Sequence, residues 1–317
     1  MKLLMLGAGG VGGYFGARLQ EGGANVTFLV RPKRAALLRE RGLRIYGVRG
    51  ELHLKELQLI ESGAPYRAGT HFDAVILSCK AYDLNSSIDS IRPYVASDTV
   101  VVPLLNGLRH LEVLDNAFGA DRVLGGLAQV SSTLDSNGDI KQITDVHTLI
   151  YGARDESQTA AAEALDRTLK LGEFDARLSR NIMLEMWEKF VLLASLAGMT
   201  CLLRANIGEI AATKDGVRLM SQMLDDCAAV AQAAGHPPRA NYMASIRGVL
   251  TQPGSPLEAS MRRDMEQGRV TEADHVIGDM LHRAETTGID STLLRAAYCH
   301  LQAHERRRAA RELASGD

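Results

Sequence analysis

The sequence predicts an α/β protein, with a doubly wound sheet over residues 1–178 followed by an all-α domain over residues 179–317. Three observations carry this expectation. The first half alternates short apolar runs with amphipathic segments, the pattern of a parallel sheet covered by helices on both faces. A glycine-rich turn directly follows the first apolar run. From about Asn181 strand-like runs vanish, and helical periodicity dominates to the end. A length of 317 residues exceeds a typical single core and suits two domains.

Taken in order, Lys2–Leu6 is apolar and stops at Gly7. It fits a buried strand and is shorter than the ~7–15 apolar residues of a signal peptide. Gly10–Gln20 reads as a helix, Asn25–Val30 as a strand, Pro32–Arg41 as a helix and Leu52–Ile60 as a strand. Ala74–Ser78 is a compact apolar strand, followed by a helical stretch over Asp83–Ile91, a strand over Thr99–Leu105 and a helix over His110–Phe118. Arg122–Tyr151 is rich in Val, Ile and Thr and carries a turn at Asn137-Gly138. Antiparallel strands at the sheet edge are expected there. Ala160–Leu171 is the last helix of this half, and the boundary falls near Arg177–Arg180.

In the second half Phe190–Leu203 is the most apolar stretch. It is shorter than the ~18 residues expected of a membrane span and follows a charged segment, so it reads as a buried core helix. Gly235-His236-Pro237-Pro238 and Gln252-Pro253-Gly254-Ser255-Pro256 separate helices. Thr271 and Asp274 have capping-box spacing, with Asp in place of Glu or Gln, and should open another helix.

Composition excludes several functions. A net charge of -2 gives no general affinity for nucleic acid or acidic membranes. Cys79, Cys201, Cys227 and Cys299 lack metal-ligand or redox spacing, as expected of reduced thiols in a cytoplasmic protein. His236, His275, His282, His300 and His304 are scattered, and the one-turn pair His300/His304 lacks a third ligand, so no metal is expected. Met199, Met220, Met223 and Leu224 read as core, although part of that apolar surface could bury a homodimer interface.

Gly7-Ala8-Gly9-Gly10-Val11-Gly12 follows a strand and opens a helix, the context that makes this a dinucleotide-binding, Rossmann-type turn. Gly7 permits the turn, Gly9 lets the backbone approach a pyrophosphate, and Gly12 brings helix and strand together. The helix N-terminus offers free N–H groups and partial positive charge to phosphates. The second strand then ends in Arg31, with Lys33 and Arg34 following, where an NAD site would carry Asp or Glu. A guanidinium there favours the extra phosphate of NADP, although Arg31 could also simply cap a loop. Lys80 and Asn106 stand just beyond two strands, at the sheet end where ligands bind, or they are ordinary loop polar groups. Lys189, entering the apolar helix within Trp187-Glu188-Lys189-Phe190, reads either as a snorkelling surface group or as a catalytic cation.

Together these segments resemble the ketopantoate reductase (2-dehydropantoate 2-reductase) family along essentially the whole chain. The similarity covers G-A-G-G-V-G at 7–12, the strand ending in Arg31, C-K-A at 79–81, N-G at 106–107, W-E-K at 187–189, the segment from Ser260 to T-E-A-D at 271–274, and A-x-x-x-G-I at 284–289. The resemblance implies NADPH-dependent reduction of a small 2-oxo acid. It makes Lys189 the catalytic lysine and proton donor, Glu272 its partner, and Asn106 a contact of nicotinamide and substrate. It makes Lys80 a cofactor-side lysine and Ser260 a contact of the substrate carboxylate. A lysine ammonium held at the keto oxygen stabilises developing charge and supplies a proton. The departures are local. Where the family carries asparagines four and eight residues after the lysine, and another after the glutamate, this chain has Leu193, Ala197 and Ile277. Ketopantoate reduction is the leading expectation, a sister reductase of a more apolar 2-oxo acid the second, and a non-catalytic NADP-binding sensor a third.

Overall fold

The structure, a computed structural model, describes residues 1–67 and 69–315. Contacts divide them into two compact units, one built from Met1–Leu105 and His110–Ile182, the other from Asn106–Arg109 and the chain from Met183 onward.

The first unit contains, in chain order, β1 (Lys2–Leu6), α1 (Gly10–Glu21), β2 (Asn25–Val30), α2 (Pro32–Arg41), β3 (Leu43–Gly47), β4 (Leu52–Leu54), β5 (Gln58–Glu61), β6 (Ala74–Leu77), α3 (Leu84–Ile91), β7 (Val100–Pro103), α4 (Arg109–Phe118), β8 (Gly125–Leu134), β9 (Ile140–Gly152), α5 (Thr159–Leu169) and β10 (Asp175–Leu178). Five strands form a wholly parallel sheet in the order β5-β2-β1-β6-β7. The chain winds outward from β1 to β2 and β5, then crosses back to β6 and β7. The carboxyl end of β1 is therefore the switch point, where such sheets bind ligands. Leu3, Leu4 and Met5 of β1 and every residue of β6 are buried, as central strands covered on both faces must be.

Two sequence expectations are corrected here. Leu52–Ile60 is not one strand. Its leucines alternate as 52 and 54, then slip to 57 and 59, so no single strand keeps all four on one face. The chain breaks between them, with β4 pairing antiparallel to β3 and β5 parallel to β2. The expected hairpin does form, with Asp135 accepting from the Asn137 and Asp139 amides at 2.8 and 2.9 Å, but only its lead-in, Arg122–Leu124, pairs with the edge of the first sheet, at Val101 of β7. It joins a second sheet, ordered β10-β9-β3-β4 with β8 antiparallel to β9. This sheet covers the outer face of α1. Ser132 Oγ donates to the Gly10 carbonyl at 2.8 Å, and Ile140 is fully buried.

The second unit contains α6 (Ile182–Leu203), α7 (Ile207–Ala211), α8 (Gly216–Ala233), α9 (Ala240–Leu250), α10 (Ser260–Glu266), a π-helical turn over Asp274–Gly278, α11 (Asp279–Thr286) and α12 (Thr292–Ser315). Two of the helix breaks, α8 to α9 and α9 to α10, fall at the two proline-containing segments. Among the described residues α6 is the one helix long and apolar enough to cross a membrane, and 72% of that window is buried inside the protein. Trp187, Phe190, Val191, Ala194 and Met199 make it a core helix.

The capping box expected at 271–274 does not form. The Thr271 hydroxyl and amide both donate to Glu305 Oε1, at 2.7 and 2.8 Å, while Asp274 accepts from the Tyr298 hydroxyl at 2.8 Å. Both capping groups are committed to α12, and the segment begins as a π turn, a widened helix often found at functional sites.

Candidate active site

The glycine turn is shaped by what a side chain would strike. Gly7 has φ +92°, and its amide donates to the Leu29 carbonyl at 2.9 Å, turning the chain out of β1. At Gly12 a Cβ would run into the Ser78 hydroxyl and lie 2.6 Å from the Gly7 carbonyl oxygen, so the close approach of α1 to the sheet admits only glycine. Gly9 is different, because a Cβ there would meet no atom of the protein within 4 Å. No side chain caps α1, whose N-cap is Gly9 itself. The first-turn N–H groups, including those of Gly10, Val11 and Gly12, and the positive end of the helix thus meet no capping side chain, and Gly9 leaves open space beside them. That cradle fits a pyrophosphate.

Arg31, at the N-cap of α2, projects a mostly exposed guanidinium whose Nη2 lies 2.8 Å from Asp83 Oδ1. Asp83 closes a short 3₁₀ turn that starts after Lys80, which is half-buried just beyond β6. The turn therefore brings the predicted cation at the end of β2 and the segment bearing Lys80 together beside the glycine loop. Arg34, read in sequence only as a further cation after Arg31, has a role that sequence did not show. Its Nε donates to the Ala8 carbonyl at 3.0 Å and its Nη1 to the Gly138 carbonyl at 2.7 Å, tying the glycine loop to the β8–β9 turn. A cavity of about 610 Å³ lined by Lys2, Asn25, Gln58 and Arg39 opens at the amino ends of the strands, away from this loop, and contains none of the predicted residues.

Within the second unit, Lys189 stands on the second turn of α6, half-buried. Loss of hydration pushes its ammonium down to about 8, and the opposing pull comes from the Glu272 carboxylate. Glu272 is buried, 9% exposed, at the entrance to the π turn. The two residues paired by the family resemblance are therefore electrostatic partners. The neighbouring Glu188 is no competitor for this role. Its carboxylate, 2% exposed, accepts from the Arg239 backbone amide and Nε at 2.9 Å each and from Nη2 at 2.5 Å, fixing α6 to the start of α9.

Asn106 lies past β7 in a loop that groups with the helices. A ring nitrogen of His275 donates to the Asn106 backbone carbonyl, and the Glu272 charge acts on the same imidazole. Gly107 follows with φ +78°, where a Cβ would sit 2.8 Å from the His275 carbonyl oxygen and 3.3 Å from its ring. His275 carries no metal-binding signal in sequence. Its spacing of three from Glu272, one face of a helical turn, is the cue that could have singled it out. Ser260 opens α10 and is exposed. Leu193 is half-buried on the helix of Lys189, and Ala197 and Ile277 are 4% and 0% exposed. Ile277 reaches α6 beside Ala197, its Cδ1 lying 3.7 Å from where a Gly198 Cβ would stand.

With this geometry in hand, the similarities to known proteins are specific. The family model of ketopantoate reductase PanE/ApbA matches residues 3–156, and that of its C-terminal part matches residues 181–305. The uncharacterized oxidoreductase YkpB of Bacillus subtilis (strain 168) is 34% identical over 305 residues, covering 96% of this chain and 99% of YkpB. The crystal structure of 2-dehydropantoate 2-reductase from Geobacter metallireducens GS-15 is 25% identical with a TM-score of 0.84, covering 96% of this chain and 99% of that one. A D-mandelate dehydrogenase, solved with NADH and anilino(oxo)acetate, shares the fold at 21% identity, with a TM-score of 0.86 and coverage of 98% and 99%. The chain belongs to the ketopantoate reductase family and is an oxidoreductase that uses a nicotinamide cofactor.

Proposed function

We propose that this protein reduces a small 2-oxo acid with NADPH, 2-dehydropantoate being the first substrate to test, and that Lys189 gives the proton. The observation that carries the reading is the desolvated Lys189 ammonium beside the buried Glu272 carboxylate. Reduced nicotinamide, when bound, supplies the hydride that reaches the keto carbon. Lys189 Nζ faces the charge that develops on the keto oxygen and passes its proton there, giving the 2-hydroxy acid. Glu272 holds that ammonium in its charged form and in place. Asn106 orients nicotinamide and substrate, and Ser260 receives the substrate carboxylate. Gly7, Ala8, Gly9, Gly10, Val11 and Gly12 hold the pyrophosphate, while Arg31 and Lys80 serve the adenosine phosphate. The exposed Arg31–Asp83 pair is worth no more than about 1 kcal/mol, so a phosphate dianion can displace the carboxylate.

A second reading, a more apolar 2-oxo acid, is favoured by Leu193, Ala197 and Ile277. These side chains offer methyl groups where hydrogen bonds to substrate hydroxyls would otherwise form. The aryl ligand of the D-mandelate dehydrogenase is compatible with it.

Steady-state oxidation of NADPH and NADH against 2-dehydropantoate, 2-oxoisovalerate and phenylglyoxylate separates these readings. We expect a lower KM for NADPH than for NADH. Lys189→Ala should retain NADPH binding and lose turnover by ~10²–10⁴. Oxidation of neither coenzyme with any of these acids would instead favour a non-catalytic nucleotide sensor.

A further inference from the structure

We propose that His275 is a positioning residue, holding the backbone of Asn106 in register with the Glu272–Lys189 pair. The inference rests on the 2-oxo acid reductase reading, which gives Asn106 its role, and it is carried by geometry within the helical unit. The His275 side chain is buried, 8% exposed, and donates a ring hydrogen bond to the Asn106 carbonyl. Gly107, directly after Asn106, is packed so closely on His275 that a Cβ would stand 2.8 Å from its carbonyl oxygen. The His275 amide in turn reaches the Glu272 carbonyl at 3.2 Å, and the Val276 amide reaches the same oxygen at 3.0 Å. A line of interactions thus runs from Lys189 through the Glu272 charge and the His275 backbone and ring to Asn106. A loop after a strand has no ladder of its own to fix it, and one buried donor on its carbonyl supplies that constraint. Misplacing an orienting group by about 1 Å can cost ~10²-fold in rate.

His275→Phe keeps the ring volume and removes the donor. His275→Gln keeps a donor with similar reach. We expect His275→Phe to lower kcat/KM for the best 2-oxo acid ~10–100-fold, mainly through kcat, with NADPH binding unchanged, and His275→Gln to restore most of the loss. With Asn106→Ala already in place, His275→Phe should cause little further loss, because no side chain is left to position. Should His275→Phe not fold, His275→Asn, smaller and too short to reach the carbonyl, takes its place. Hydrogen–deuterium exchange of the amides of residues 107–109 is the independent readout. Exchange should quicken in His275→Phe and stay slow in His275→Gln. If the wild-type protein reduces no 2-oxo acid, the reductase reading fails, and exchange alone decides the positioning claim. Unchanged exchange in His275→Phe, or additive kinetic losses with Asn106→Ala, overturns it.

Discussion

A lysine set into an apolar helix loses hydration that its ammonium needs, and the nearest carboxylate decides how much of that loss is returned. Lys189 is held at about 8 by this balance, with desolvation lowering it and Glu272 raising it. A proton donor works only while protonated, so the reduction rate should be level below about pH 7 and fall as pH rises through about 8. Glu272→Gln removes the group that raises the value, so the falling limb should move to lower pH. Lys189→Arg, cationic throughout the range, should lose the limb altogether. A limb that stays in place in Glu272→Gln, measured as log kcat/KM against pH, would detach the glutamate from the lysine. At this scale the sequence singled out Lys189 and Glu272, each in a short distinctive segment, and the structure makes them electrostatic partners. It was a poor guide to their neighbours. Glu188 adjoins Lys189 and looks equally chemical, yet Arg239 claims it from 51 residues away. His275 reads as one of several scattered histidines until the loop it binds is known.

The strand–turn–helix unit of β1 and α1 was legible in full because every constraint on it is local. An apolar run, a positive-φ glycine and small residues along one helix face lie within twenty residues of one another. β3 and β10 were missed for the opposite reason. They are short and partly exposed, and they exist because β9 offers both of them a parallel partner. The glycine turn itself makes a paired prediction. Gly12→Ala forces α1 off the sheet and should cost roughly 1–3 kcal/mol or more, the scale of overpacking. Gly9→Ala meets no protein atom and should leave the melting temperature nearly unchanged. Its methyl group occupies the cradle, so NADPH affinity should fall about tenfold or more, equivalent to ~1.4 kcal/mol. Calorimetry with and without NADPH distinguishes the two. Equal loss of stability in both variants, with no separate effect on binding, would mean that Gly9 faces protein and not ligand.

Across the whole molecule, the division into units depends on contacts that periodicity does not encode. Residues 106–109 run from the end of a strand to the first residue of a helix of the sheet unit, yet they cluster with the helices, where Gly107 packs on His275. Buried imidazoles run through both units and tie overall stability to pH. In the sheet unit His147, 5% exposed, meets the Tyr14 hydroxyl at 2.8 Å across α1 and β9. In the helical unit His275 is buried as well, and desolvation holds both below the ordinary histidine range, as it does the less buried His236, His300 and His304. The sign follows from proton uptake. Unfolded histidines titrate near ~6.5, so as pH falls through that value the unfolded chain binds protons that the folded one refuses. The folded state is therefore fully favoured above about 6.5 and loses ground below it. Carboxylates held low in the fold, such as Asp166 and Glu305, contribute their loss only at more acid pH, below about 4. Melting temperature should thus decline between about 6.5 and 5, while the lowered Lys189 ammonium lets it rise slightly as pH passes about 8. His147→Gln, which keeps a polar partner for Tyr14 without a titrating ring, should shallow that decline without abolishing it. Equal melting temperatures at pH 7.5 and pH 5.5 in the wild-type protein would show that these imidazoles take up protons as readily folded as unfolded, and that burial does not govern them.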